Sequence, residues 1–270
     1  MTDRYAVVGN PVAHSLSPEI HAAFARETGQ DIAYTRLHAP LDEFARTVET
    51  FRASGGKGLN VTVPFKGEAF RLATERTGRA LAAEAVNTLR FDDGRVHGDT
   101  TDGPGLVRDI VDNLAVPLAG KRVLLVGAGG AARGVIQSLL DTGIEALVLA
   151  NRTVARAREL ADRFGSEVEP RGFDALGDAG FDVVVNATSA SLSGEAPPLA
   201  AGVFAPGSLA YDMMYGKGET PFLAAARAAG AAQLADGLGM LVEQAAESFL
   251  VWRGVRPQTA PVLAMLRGTE

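Results

Sequence analysis

The chain has 270 residues, 47% hydrophobic and 21% charged, with a net charge of −6 and no cysteine. That balance suits a globular protein with one large core or two of ordinary size. It argues against a nucleic-acid footprint or a basic membrane-facing surface, and it rules out disulfides, thiolate metal sites and cysteine nucleophiles. Met1–Ala6 has neither the basic stretch nor the apolar run of a signal peptide. No window reaches the ~18 apolar residues of a membrane span. A cytoplasmic enzyme is the expectation.

Strand and helix signals alternate through the first hundred or so residues. Arg4–Gly9 reads as a short strand, and Ser17-Pro18-Glu19 as a helix start with Ser17 as N-cap and Pro18 in the first turn. Gly29 stops that helix, and Ile32–His38 is strand-like. A helix over Leu41–Ala53 is followed by Ser54-Gly55-Gly56 and a buried strand over Gly58–Val63. Ala85–Phe91 and Arg95–His97 flank Asp92-Asp93-Gly94, a hairpin signal, so this part is α/β with an antiparallel pair.

From Lys121 the pattern becomes a βαβ repeat. Strands are expected at Arg122–Val126, Ala146–Ala150, Asp182–Val185 and Leu209–Asp212, with helices over Ala131–Asp141 and Thr153–Phe164. Short strands alternating with helices imply a parallel sheet with right-handed crossovers. After Gly237, the residues Leu238, Leu241, Ala245, Phe249 and Trp252 mark one face of a long helix.

The strand Val123–Val126 runs directly into Gly127-Ala128-Gly129-Gly130-Ala131-Ala132 and a helix, an accepted form of the dinucleotide fingerprint. Gly127 permits the tight turn, Gly129 lets backbone approach a pyrophosphate, and Ala132 lets helix and strand pack closely. The helix N-terminus offers N–H groups to the phosphates. At the end of the second strand an acidic residue would select NAD. Here the chain reads Asn151-Arg152-Thr153-Val154-Ala155-Arg156 instead. A cation in a first helical turn opposes the helix dipole, so Arg156 is poorly placed for stability alone. Two guanidinium groups converging on a 2′-phosphate would explain it, against the bland reading of a pair of solvated surface arginines, and NADP is favoured.

Three segments of the first half are unusually polar for their positions: Gly9–Pro18, Gly58–Lys66, and Ala85–Thr88 with Gly98–Gly103. Ligands of open α/β sheets bind beyond the carboxyl ends of strands, where Ser15, Lys66 and Asp102 would sit. Each has a bland reading as a cap, a solvated lysine or a loop residue. Asn60, Thr62 and Asn87 on strands are harder to dismiss, because buried amides and hydroxyls need partners.

At these residues the sequence resembles the shikimate dehydrogenase family. The matching stretches are Gly9–Pro18, Asn60–Lys66, Ala85–Thr88, Asp99–Gly103, Gly127–Gly134, Asn151–Arg156, Asn186–Ser189, Tyr211–Met214 and Ala235–Gln244, in the family's order. The resemblance implies an N-terminal α/β substrate domain with a mixed, mostly parallel sheet, over 1–102 and 238–270. It implies a Rossmann-like NADP-binding domain over 103–237. The implied activity is reversible NADP-dependent reduction of 3-dehydroshikimate to shikimate, on the way to chorismate and the aromatic amino acids. It makes Lys66 and Asp102 the catalytic pair. Ser15, Ser17, Asn60, Thr62, Asn87, Tyr215 and Gln244 would hold the substrate carboxylate and hydroxyls. Gly127, Ala128, Gly129, Gly130, Ala131, Asn151, Arg152, Thr153, Arg156, Thr188, Met213 and Gly237 would contact the cofactor.

The residue types fit that chemistry. Hydride arriving at a ketone develops negative charge on oxygen, which a nearby cation or proton donor stabilises. Which of Lys66 and Asp102 gives the proton stays open at this level. Two positions depart from the family pattern: Thr100 where Asn is common, and Ala190-Ser191 where Ser-Gly is more usual. The competing readings are a quinate/shikimate dehydrogenase with relaxed or NAD preference, a methylene-tetrahydrofolate dehydrogenase, and a non-catalytic NADPH-binding regulator. No ligand spacing among His14, His21, His38 and His97 suggests a metal. The expected partners are small molecules, not nucleic acid or membrane, and a homodimer is left open.

Overall fold

The computed structural model describes residues 2–92, 94–190, 194–216 and 218–268. The chain divides into two compact units, Met1–Gly105 with Val242–Glu270, and Leu106–Leu241. The divisions fall inside the helices Asp102–Arg108 and Leu238–Arg253.

The first unit is built on strands β1 (Asp3–Gly9), β2 (Ile32–His38), β3 (Gly56–Val61), β4 (Glu75–Arg76), β5 (Thr88–Asp92) and β6 (Arg95–Asp99). Their order in the sheet is β2-β1-β3-β5-β6-β4. β1 is parallel to β2 and β3, whereas β5 is antiparallel to both β3 and β6. The hairpin signal therefore produces an antiparallel pair, with Gly94 at φ 82° in the turn. Asp93 lies outside the described residues.

Leu59, Leu89, Val86, Phe44 and Phe65 fill one face of this sheet, with the Phe44 and Phe65 rings stacked at 4.8 Å. Gly58 lies against the indole of Trp252, where a Cβ would come within 2.5 Å of Nε1, so this β3 position must be glycine.

Two helix readings need correction. The first helix, Ser17–Thr28, is capped at Leu16, and Ser17 is its first residue rather than its cap. The hydroxyl at this turn that accepts a backbone N–H is that of Ser15, from Ser17 N at 3.3 Å. The second helix starts at Phe44 rather than Leu41, because Glu43 N bonds back to Pro40 O in a turn.

The second unit has strands β7 (Arg122–Val126), β8 (Ala146–Ala150), β9 (Val168–Arg171), β10 (Phe181–Asn186), β11 (Phe204–Asp212) and β12 (Gln233–Ala235). They form one parallel sheet in the order β12-β11-β10-β7-β8-β9. This is the doubly wound dinucleotide-binding order, and the chain reverses direction between β7 and β10. Val123–Val126 and Val183–Val185 are fully buried, as strands covered on both faces must be.

The helix after β7 is shorter than the pattern predicts. It forms Gly130–Arg133 and, after a tight turn in which Val135 N bonds Ala132 O, Ile136–Leu140. Thr153–Phe164 likewise resolves into an α-helix over Val154–Ala161 and a 3-10 stretch beyond it.

His21 is completely buried in the first unit, stacked on Tyr34 at 4.2 Å and close to Phe249 and Trp252. Neither ring nitrogen makes a hydrogen bond among the described residues. Burial therefore pushes its pKa down to about 3, against a weaker opposing pull from the nearby Asn60 amide. Between about 3 and the ordinary 6.5, the unfolded chain binds a proton that the native ring refuses. Stability therefore falls as pH drops through that window, by at most about 1.4 kcal/mol per pH unit from this group. His21→Phe is expected to flatten that part of the denaturant-unfolding free energy between roughly pH 6.5 and 5. An unchanged slope would assign the acid sensitivity to other groups.

Candidate functional site

In the first unit, topology gathers the polar segments at one end of the sheet. Ser15 and Ser17 follow the carboxyl end of β1, and Thr62 and Lys66 that of β3. Asp102 follows the end of β6, and Asn87 precedes β5, which runs the opposite way.

Lys66 begins the helix Lys66–Leu72, and Asp102 begins Asp102–Arg108. Lys66 Nζ donates to Asp102 Oδ2 at 2.7 Å. The second carboxylate oxygen, Oδ1, accepts from Asn87 Nδ2 at 2.8 Å. The backbone N–H of Thr101 donates to Asn87 Oδ1 at 2.8 Å. Because that N–H can only donate, it fixes which end of the Asn87 amide faces Asp102. Asp102 thus meets a donor on each oxygen.

Other predicted residues join this arrangement. Gln244 Oε1 lies 3.4 Å from Asn87 Nδ2, and Gly105 packs so closely on Gln244 that a Cβ would come within 2.7 Å of its backbone nitrogen. Ser15 Oγ donates to Ser17 Oγ at 3.1 Å. The Ser15 carbonyl accepts from both Nε and Nη2 of Arg36, which is itself paired with Glu19. Thr62 is half-buried, and its methyl group leaves no room for a Cβ at Gly9.

Asn60 differs from the rest. Its Oδ1 accepts from Tyr34 at 2.7 Å, and its Nδ2 donates to Ser248 Oγ at 2.9 Å. Both ends of the amide are therefore engaged inside the unit. Burial holds the Tyr34 phenol well above its usual pKa, so this hydroxyl stays a donor.

In the second unit, Gly127 sits at φ 106° with its N–H on Ala150 O, and a Cβ there would press on Thr188 and Ala187. Only glycine meets both demands. At Gly129 and Gly130 a Cβ would point into open space, so the bare backbone there is free for a ligand to approach closely. The helix that follows has four residues, so individual N–H groups rather than a long macrodipole would face a phosphate.

The ends of β10 and β11 are stitched together. Asn186 Nδ2 donates to Asp212 Oδ1, Asn186 Oδ1 accepts from the N–H and hydroxyl of Thr188, and Asp212 Oδ2 accepts from Thr220. Met213 N donates to Asn186 O, and Gly237 packs so tightly on Met213 that a Cβ would lie 2.2 Å from its carbonyl oxygen. Tyr215 is half-buried, with its pKa raised by burial.

No carboxylate follows β8. Asn151 Nδ2 instead donates to Thr153 O, and Arg152 and Arg156 are exposed. Arg156 is in the first turn of Val154–Ala161. It borders a cavity of about 230 Å³ with Ala128, Arg133, Glu159, Leu160 and Arg163; Arg152 does not. Bare glycine backbone and a predominantly cationic cavity beside Ala128 fit a dinucleotide that carries an extra phosphate.

Family profiles for a "Shikimate dehydrogenase substrate binding domain", "Shikimate / quinate 5-dehydrogenase" and a "Shikimate 5'-dehydrogenase C-terminal domain" match residues 7–89, 107–193 and 237–267. A "Shikimate dehydrogenase (NADP(+))" from Chromobacterium violaceum is 60% identical over 99% of this chain and 98% of its own. The chain belongs to the shikimate dehydrogenase family. Among solved structures, the Ael1 enzyme of Pseudomonas putida superposes with a TM-score of 0.94 at 51% identity, covering 98% of both chains. Thermus thermophilus shikimate 5-dehydrogenase, crystallised with NADP(H) and shikimate, gives 0.88 at 33% over the full length of both.

Two positions were expected to depart from the family pattern, Thr100 and Ala190-Ser191. Thr100 is buried, and its hydroxyl makes no hydrogen bond among the described residues. Ser191 lies outside those residues. No cluster that could hold a metal ion occurs among the described residues, and no described helix is long and apolar enough to cross a membrane.

Sequence reasoning missed Tyr34, Thr88, Thr101 and Ser248 as members of the site. Thr88 and Thr101 stood inside the quoted motifs, and their buried hydroxyls were the available signal. Ser248 carries no local signal, being 188 residues from Asn60, its partner.

Proposed function

We propose that this chain catalyses the reversible, NADP-dependent reduction of 3-dehydroshikimate to shikimate, as a cytoplasmic enzyme on the route to chorismate. The observation that carries this reading is the Lys66–Asp102 pair with Asn87 behind it, in a chain 60% identical to a shikimate dehydrogenase. The unit Met1–Gly105 with Val242–Glu270 takes the substrate, and Leu106–Leu241 takes the cofactor.

When bound, the nicotinamide supplies the hydride in reduction and accepts it in oxidation. The developing alkoxide needs a proton, and the donors that face both oxygens of Asp102 support Lys66 in that role. A carboxylate facing two donors has no proton to give, whereas the Lys66 ammonium has three. Lys66 places positive charge where negative charge develops and then transfers the proton. Asp102 orients the ammonium and helps hold a substrate hydroxyl. Ser15 and Ser17 present hydroxyls to the substrate carboxylate, and Thr62, Asn87 and Gln244 serve its hydroxyls. Asn60 contributes by fixing Tyr34 and Ser248. Gly127–Ala131, Asn151–Arg156, Thr188, Met213 and Gly237 hold the NADP.

The test is absorbance at the reduced-nicotinamide band with shikimate and NADP, beside quinate and NAD controls. Fast reduction with shikimate and NADP alone is expected. Turnover mainly with quinate or NAD would move the chain to that neighbouring activity. NADPH binding without any turnover would make it a regulator.

A further inference from the structure

Around Asn87 lies a cluster of three fully buried hydroxyls from Thr88, Thr101 and Ser248. Ser248 Oγ is 2.8 Å from Thr88 Oγ1 and 3.1 Å from Thr101 Oγ1. Two groups of fixed sense bracket it. Asn60 Nδ2 donates to it at 2.9 Å, and it donates to the Gln244 carbonyl at 3.0 Å. The Asn60 amide cannot be reversed, because its Nδ2 also faces the Asn87 carbonyl at 3.3 Å. With its proton on Gln244, Ser248 has one lone pair left, which accepts from one threonine hydroxyl. The other threonine can then donate to Asn87 Oδ1, which lies 2.9 Å from Thr88 Oγ1 and 3.2 Å from Thr101 Oγ1, while Thr101 Oγ1 also accepts from Asn87 Nδ2 at 3.0 Å.

We infer that Ser248 is a positioning residue for the Lys66–Asp102 pair, acting through the Thr88 and Thr101 hydroxyls on the Asn87 amide. The inference rests on the proposed reaction for its kinetic meaning. Small apolar side chains would fill this space without needing partners. A buried network in which every group is satisfied fixes one geometry instead. Here the fixed group is the amide that donates to Asp102. Ser248 also ties the helix carrying Gln244 to the ends of β3, β5 and β6, where these residues meet.

The test compares Ser248→Ala in the wild-type and Asp102→Asn backgrounds. In the wild type, kcat for shikimate oxidation is expected to fall roughly tenfold, with the KM for NADP unchanged within about twofold. In Asp102→Asn the same change is expected to cost little more, since a group acting through Asp102 has nothing left to position. An equal loss in both backgrounds would overturn the inference.

The single tryptophan, Trp252, lies one turn along the same helix with its Nε1 on Leu89 O, and its emission reports whether the helix is intact. If Ser248→Ala disturbs that emission, Thr101→Val removes a different hydroxyl of the same chain, and the same non-additivity is required of it. A second readout does not need turnover. The Asn87 side-chain amide, assigned in nitrogen-15 spectra by its loss in Asn87→Asp, should shift in Ser248→Ala. An unmoved signal rejects the inference at any level of activity. A shifted signal in a protein inert toward shikimate would reject the proposed reaction and leave the positioning role standing.

Discussion

Replacing Lys66 with methionine is expected to lower kcat about a thousandfold in both directions, with the KM for shikimate changing only a few-fold. Methionine keeps much of the length and apolar stem but carries no charge and no proton. The ground-state substrate has other hydrogen-bonding partners, so the loss should fall on the transition state, where the alkoxide forms. The variant also leaves the Asp102 carboxylate without its 2.7 Å partner. Asp102 keeps the bond from Asn87, and a thermal melt will show whether the local cost spreads. Lys66→Arg separates charge from proton delivery, because a guanidinium keeps the charge yet does not release a proton at working pH. Recovery of less than about tenfold relative to Lys66→Met is expected if proton transfer dominates. Near-complete recovery would make Lys66 an electrostatic anchor only, and near-normal turnover in Lys66→Met would remove it from the mechanism.

What could be read from the sequence was whatever depends on neighbours in the chain. The Gly127–Ala132 run announces a strand, turn and helix because each glycine answers a backbone demand made within a few residues. β1, β7 and β10 read clearly because strands buried on both faces are continuous apolar runs. β4, β9 and β12 have two, four and three residues, and β9 contains Pro170, so they carry no such signature. Their strand character comes from the neighbours they pair with at the sheet edges. The helix expected over Ala131–Asp141 does not show the tight turn at Gly134-Val135, where tertiary packing wins over helix propensity.

The site divides in the same way. Lys66, Asn87 and Asp102 were visible as polar residues next to strands. The direction of the Asn87 amide, and with it the donor presented to Asp102, depends on the Thr101 N–H and on hydroxyls from distant segments. No spacing rule encodes those contacts.

The second large effect concerns cofactor choice. In the double variant Arg152→Gln, Arg156→Gln, kcat/KM for NADPH is expected to fall roughly a hundredfold or more, while that for NADH changes less than about threefold. The two cofactors differ only in the 2′-phosphate, and a charge-assisted hydrogen bond contributes about 1.5–3 kcal/mol, or roughly ten- to a hundredfold in affinity. Both arginines are exposed. Among the described residues neither is engaged in an ion pair, so neither has a structural partner to lose.

The two single variants should differ. Arg156 borders the cavity beside Ala128 together with Arg133 and Arg163, and Arg152 does not. Arg156→Gln alone is therefore expected to account for the larger share of the discrimination. Raising the salt concentration should weaken NADPH more than NADH in the parent protein and no longer do so in the double variant. Equal losses for the two cofactors would mean the arginines support the fold of the loop rather than read the phosphate. A larger effect from Arg152 would place the 2′-phosphate over the loop instead of beside the cavity.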